Sequence, residues 1–112
     1  WVCLVSLDAL MVMSFEPYSQ ETLFVSQQAK KAGAKIVALT DSLASPLSLQ
    51  ADETVLFSTR SPSFFPSVTA AMAATESLLE LLAARAGSEG ISRIEAAESQ
   101  LQACGAYLPL RN

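Results

Sequence analysis

One stretch, Ser14-Phe15-Glu16-Pro17-Tyr18-Ser19-Gln20-Glu21-Thr22, gathers most of the side chains in this sequence that could do chemistry. It offers the hydroxyls of Ser14, Tyr18, Ser19 and Thr22 beside the carboxylates of Glu16 and Glu21. An apolar run, 9–13, precedes it, and a segment of helical periodicity that closes at Gly33 follows it. A strand, a polar turn and a helix in that order make the front of a βαβ unit, and ligands settle at the carboxyl end of such strands. Hydroxyls there, with the unpaired N–H groups and positive dipole end of a helix behind them, suit a phosphate or another anion. Glu16 opposes that reading by placing a negative charge in the same turn. A second polar group, Thr40-Asp41-Ser42, ends the next apolar run, where a neighbouring pocket wall would stand.

Each of these residues also has a structural reading. Ser14 and Ser19 suit the ends of a strand and the start of a helix, and Glu21 and Thr22 suit a first helical turn. Tyr18 can lay its ring over the sheet edge, Glu16 can be a solvated turn residue, and Asp41 can cap a turn. The sequence contains no histidine, which removes the commonest general base and the commonest metal ligand. No catalytic residue, metal site or cofactor is expected.

The elements needed to hold these residues follow from the pattern. Residues 9–14 and 35–40 are continuous apolar runs of strand length, as in parallel strands covered on both faces. Between them, 19–32 reads as a helix with Ser19 as N-cap, Lys30 and Lys31 in its last turn and Gly33 as its stop. Ser45-Pro46-Leu47 reads as an N-cap followed by proline at the first position of a short helix, and 53–58 as a third strand. After the loop 60–66, a long helix over 66–85 stops at Gly87, and a last amphipathic helix over 88–104 ends at Gly105. The long helix is apolar on two faces, which predicts one side on the sheet and the other on a symmetry mate. Phe64 and Phe65 are expected in the core or in dimer contacts. Ile91, Ile94, Leu101 and Cys104 are expected on the buried face of the last helix. The order of strands and helices is that of an open α/β sheet.

Composition narrows the classes. The 112 residues are one domain or a piece of one, and 51% apolar against 16% charged content implies burial against something beyond this chain. The chain opens inside an apolar run at Trp1, which reads as the broken edge of a longer protein. A net charge of −4 argues against a nucleic-acid grip by this stretch. Two cysteines at opposite ends, Cys3 and Cys104, read as buried thiols of a cytosolic protein. No stretch reaches the roughly 18 uninterrupted apolar residues of a membrane span.

Three pieces in order, D-A-L-M-V-M-S-F-E-P-Y-S-Q-E-T from Asp8, G-A-K-I-V-A-L-T-D-S-L-A-S-P-L from Gly33 and S-P-S-F-F-P-S from Ser61, resemble the second half of a sugar isomerase (SIS) domain. More narrowly, they resemble that domain in bacterial transcription regulators of the RpiR/MurR type. The resemblance implies an α/β three-layer sandwich with a parallel sheet, of flavodoxin-like SIS type and here an incomplete copy. It also implies a homodimer that senses a phosphosugar or related carbohydrate metabolite, with DNA bound only through an N-terminal helix-turn-helix domain. That domain and the first half of the SIS fold are not in this chain. Ser14 and Ser19 match the first Ser and the Thr of the family's S-x-S-G-x-T phosphate loop. The resemblance thus carries both over as hydroxyl donors; Tyr18 and Thr22, in the same stretch, are expected beside them as ligand-binding residues on their position alone. Glu16 and Pro17 replace the central Ser and the Gly. Either the Glu16 carboxylate turns outward, or it grips a sugar hydroxyl or amine, or the effector is not a phosphosugar. Two other functions fit the same fold, a phosphosugar isomerase and a SIS domain that only dimerises.

Overall fold

The structure is a computed structural model that describes residues 9–108. The apolar run 1–7 with Cys3, and the tail end 109–112, lie outside the described residues. The chain divides into two units, one up to Ala74 and one from Thr75 onward.

The first unit is built around three strands, β1 (Ala9–Met13), β2 (Lys35–Thr40) and β3 (Glu53–Leu56), in the order β1-β2-β3. Both pairings are parallel, so this is the α/β class expected from the sequence. Helix α1 (Gln20–Lys31) packs on β1 and β2, and α2 (Pro46–Gln50) packs on β2 and against α1. The two helices therefore share one face of the sheet. Alternation along the strands sends Leu10, Val12, Ile36 and Ala38 to that face. There Val12, Ile36 and Ala38 form the core with Ala29, Ala34 and Leu47.

Local chemistry fixes the helix ends. Ser19 Oγ accepts from the Thr22 amide at 3.3 Å, and Ser45 Oγ accepts from the Ser48 amide at 3.1 Å. Helix α1 ends at Gly33, whose φ of 93° only glycine adopts at no steric cost. The Gly33 amide returns to Lys30 O and the Ala34 amide to Ala29 O, the paired bonds of a Schellman stop. At the start of β2, Asp52 and Ile36 exchange two bonds. The Asp52 carboxylate accepts from the Ile36 amide at 2.8 Å, and the Asp52 amide donates to Ile36 O at 2.9 Å.

The last element is α3 (Thr69–Ala103), interrupted at Gly87, whose φ of 60° and ψ of −146° are not helical. It starts three residues later than the expected position 66, because Ser67 is held in a turn: its amide donates to Thr59 O and its hydroxyl accepts from the Thr69 amide. Within the single chain the α3 stripes are largely uncovered. Ala71 is buried, but Met72, Leu79, Leu81, Leu82, Ile91, Ile94 and Leu101 are exposed. From Thr75 onward the described chain up to Ala103 is helical on both sides of Gly87, and this unit has no sheet of its own to cover Leu79, Leu81, Leu82, Ile91, Ile94 and Leu101. Cys104 is likewise an exposed free thiol, its Sγ–H directed at Gln100 O. Phe64 and Phe65 stack edge to face on each other and are exposed, not core. Among the described residues no helix is long and apolar enough to cross a membrane.

Candidate functional site

The parallel register sets Met13 beside Leu39, and so brings the turn after β1 against the end of β2. Ser14 continues the ladder, its amide donating to Leu39 O at 3.1 Å. Its buried Oγ accepts from the Ser19 amide at 3.1 Å, which closes the turn on itself. Phe15 anchors the turn from the other side by packing edge to face on the buried Phe57 ring, with centroids 5.9 Å apart.

Asp41 is the hub. Its Oδ2 accepts from the Glu16 amide at 3.2 Å and its Oδ1 accepts from the Tyr18 hydroxyl at 2.8 Å. Thr40 lies behind it, with its hydroxyl 3.0 Å from Ser45 Oγ and 3.3 Å from Asp41 Oδ1. Burial pushes the Asp41 carboxyl up, but the bonds from Tyr18, the Glu16 amide, its own amide and Thr40 outweigh it and hold the pKa below the ordinary value. The Tyr18 phenol is raised, chiefly because its proton is engaged by Asp41. The pair therefore stands as a neutral phenol donating to a carboxylate.

Of the residues expected at the site, Ser14, Tyr18 and Ser19 come together. With Leu23, Pro46 and Leu47 they line a cavity of about 10 Å³. That is room for about one water and not for a sugar. The Glu16 side chain is exposed, and the Glu16–Pro17 peptide is cis. Thr22 contributes its amide to the Ser19 cap, while its side chain lines a separate open depression with Met11, Val12, Met13, Glu21 and Val25. The sequence places Asp41 near a pocket wall but gives no sign that it grips Glu16 and Tyr18. Among the described residues no cluster of His, Cys, Asp or Glu is arranged to hold a metal ion.

Two hydroxyls here accept bonds from backbone amides, which leaves their own protons free to donate. Ser14 Oγ and Ser19 Oγ are both in this state among the described residues. The arrangement can therefore present hydroxyl donors to a polar ligand at the carboxyl end of a parallel sheet, the usual ligand position in open α/β folds.

A parallel α/β domain with its polar turns gathered at the carboxyl ends of β1 and β2 is the class that fold and site define. The chain belongs to the SIS domain family, whose family profile matches residues 4–81. It is similar to the sugar isomerase domain of an RpiR transcription factor from Sphaerobacter thermophilus, at 25% identity and a TM-score of 0.75 over 86% of this chain. The chain spans about half of that structure, 54% of its length. A second crystal structure, described as a hypothetical protein, shares the fold at 24% identity and a TM-score of 0.51, covering 56% of this chain and 34% of its own. Comparison with curated proteins gives no match.

The Asp41 network sets a pH dependence. A carboxyl held below its unfolded pKa of about 4 contributes stability in full above that pH and loses it as pH falls through the folded pKa. Asp52, lowered first by its bond from the Ile36 amide, acts in the same sense. The urea midpoint is expected to fall between pH 5 and pH 2.5, and to fall less steeply in Asp41→Asn. Parallel acid profiles in the two proteins would remove Asp41 from this account.

Proposed function

We propose that this chain is the effector-binding part of a transcription regulator's SIS domain, sensing a phosphosugar or related carbohydrate metabolite. The observation that carries the reading is the match over 86% of the chain to the sugar isomerase domain of an RpiR transcription factor. The residues assigned to the metabolite are Ser14, Glu16, Tyr18, Ser19 and Thr22, with further walls supplied from outside the described residues. Such a regulator is cytoplasmic and bacterial, works as a homodimer and contacts DNA through a separate domain. The exposed apolar side chains of α3, such as Leu79, Leu82, Ile91 and Ile94, supply a surface for the dimer. Effector control then requires contacts that differ between two states of the dimer. An isomerase is the weaker reading, because this chain carries no histidine and its Tyr18 and Asp41 are committed to each other.

The test is a thermal-shift screen of the intact protein with neutral sugars, amino sugars and phosphosugars. A ligand at a hundred times Kd stabilises the native state by about 2.7 kcal/mol, so one class is expected to raise Tm in a concentration-dependent way. A protein that responds to none of them, or that converts a phosphosugar to its isomer, would overturn the reading.

A further inference from the structure

Four backbone amides of the 14–22 stretch are already engaged within the protein. The Ser14 amide goes to Leu39 O, the Glu16 amide to Asp41 Oδ2, the Ser19 amide to Ser14 Oγ and the Thr22 amide to Ser19 Oγ. Pro17 has no N–H to give. The Tyr18 hydroxyl goes to Asp41 Oδ1. A phosphate held by a turn needs several such donors converging on it with no competing negative charge. Here the place in front of the Glu16 amide and the Tyr18 hydroxyl already holds a carboxylate, and it belongs to the protein.

We propose that Asp41 is a specificity-determining residue. Its carboxylate is the resident anion of the 14–19 turn, so the part of the metabolite that meets this turn is an uncharged hydroxyl and not a phosphate. The inference rests on reading this turn as the effector site. The hydroxyl protons of Ser14 and Ser19 match the requirement of a sugar hydroxyl, which accepts one bond and returns one. An incoming phosphate would face the Asp41 carboxylate, with Glu16 in the same turn. Like charges a few ångströms apart repel, and more strongly near a protein surface than in open water.

The experiment follows the Glu16 and Ser19 amide resonances of the ¹⁵N-labelled intact protein during titration with inorganic phosphate. In the wild type neither amide is expected to move at millimolar phosphate. In Asp41→Ala, where the Glu16 amide and the Tyr18 hydroxyl are uncovered, both are expected to move, with phosphate bound at least about tenfold more tightly. Phosphate that saturates the wild-type amides, or that binds no better in Asp41→Ala, overturns the proposal. Should that variant not fold, the wild type carries the test through a comparison of glucose with glucose 6-phosphate. Movement of the Glu16 amide by the phosphorylated sugar, beyond that caused by glucose, overturns it as well. Failure of the effector reading has a separate signature: phosphate is gained in Asp41→Ala, yet sugars that shift Tm leave both amides unmoved.

Discussion

Ile36→Ala is expected to lower the unfolding free energy by about 3 kcal/mol, the middle of the range for truncating a large core side chain. Ile36 is fully buried on the central strand, on the face that α1 and α2 cover. Its cluster contains Ala29, Ala34 and Ala38, which have no spare length to swing into a gap. The cavity would therefore stay open, and the cavity contribution would add to the lost transfer free energy. Ile36 also anchors the start of β2 through its two bonds with Asp52, and those are backbone bonds on the Ile36 side that alanine keeps. The loss is thus one of packing, which should leave the urea m-value unchanged while the midpoint falls. Domains of this size have about 5–15 kcal/mol in total, so the variant would be visibly less stable at room temperature. A loss below about 1 kcal/mol would mean that the α1 and α2 layer collapses onto the sheet without Ile36.

The part of this fold that is legible in the sequence is the part with local punctuation. Ser19, Gly33 and Ser45-Pro46 each satisfy or remove a backbone group at a helix end, and each stands where the structure uses it. Continuous apolar runs at 9–13 and 35–40 likewise read directly as parallel strands. The third strand ends at Leu56 and not at 58, although the Phe57 amide still reaches Thr40 O. What the sequence could not show is pairing at a distance. Asp41 meets Glu16 and Tyr18 only because the register sets Met13 beside Leu39, and no spacing rule links residue 41 to residues 25 and 23 positions earlier. The same is true of Phe15 on Phe57. For α3, periodicity marks which side chains need cover but carries no information about what covers them. Hence Leu79, Ile91 and Ile94, which the pattern marks for cover, stand exposed in the single chain.

Ser45→Ala is expected to cost about 2 kcal/mol, most of it through the loss of one helix cap. The Ser45 side chain accepts from the Ser48 amide at 3.1 Å and lies 3.0 Å from the Thr40 hydroxyl, and both Ser45 and Thr40 are buried. Alanine leaves the half-buried Ser48 amide without its acceptor, a costlier loss than removing both partners together. Thr40 fares better, because its proton can turn to Asp41 Oδ1 at 3.3 Å. The variant should therefore also hold the Asp41 carboxyl more firmly in its ionised form. Helix α2 buries Leu47 and sets Pro46 against the small cavity beside Tyr18, so loosening its first turn loosens one wall of the candidate site. A double-mutant cycle with Thr40→Val, read by urea unfolding, separates the two roles of Ser45. Contacting pairs of this kind couple by roughly 0.5–3 kcal/mol, and the lower half of that range is expected because Thr40 keeps a second acceptor. Coupling near zero would mean that the Thr40 proton serves Asp41 alone in the wild type and does not bridge to Ser45.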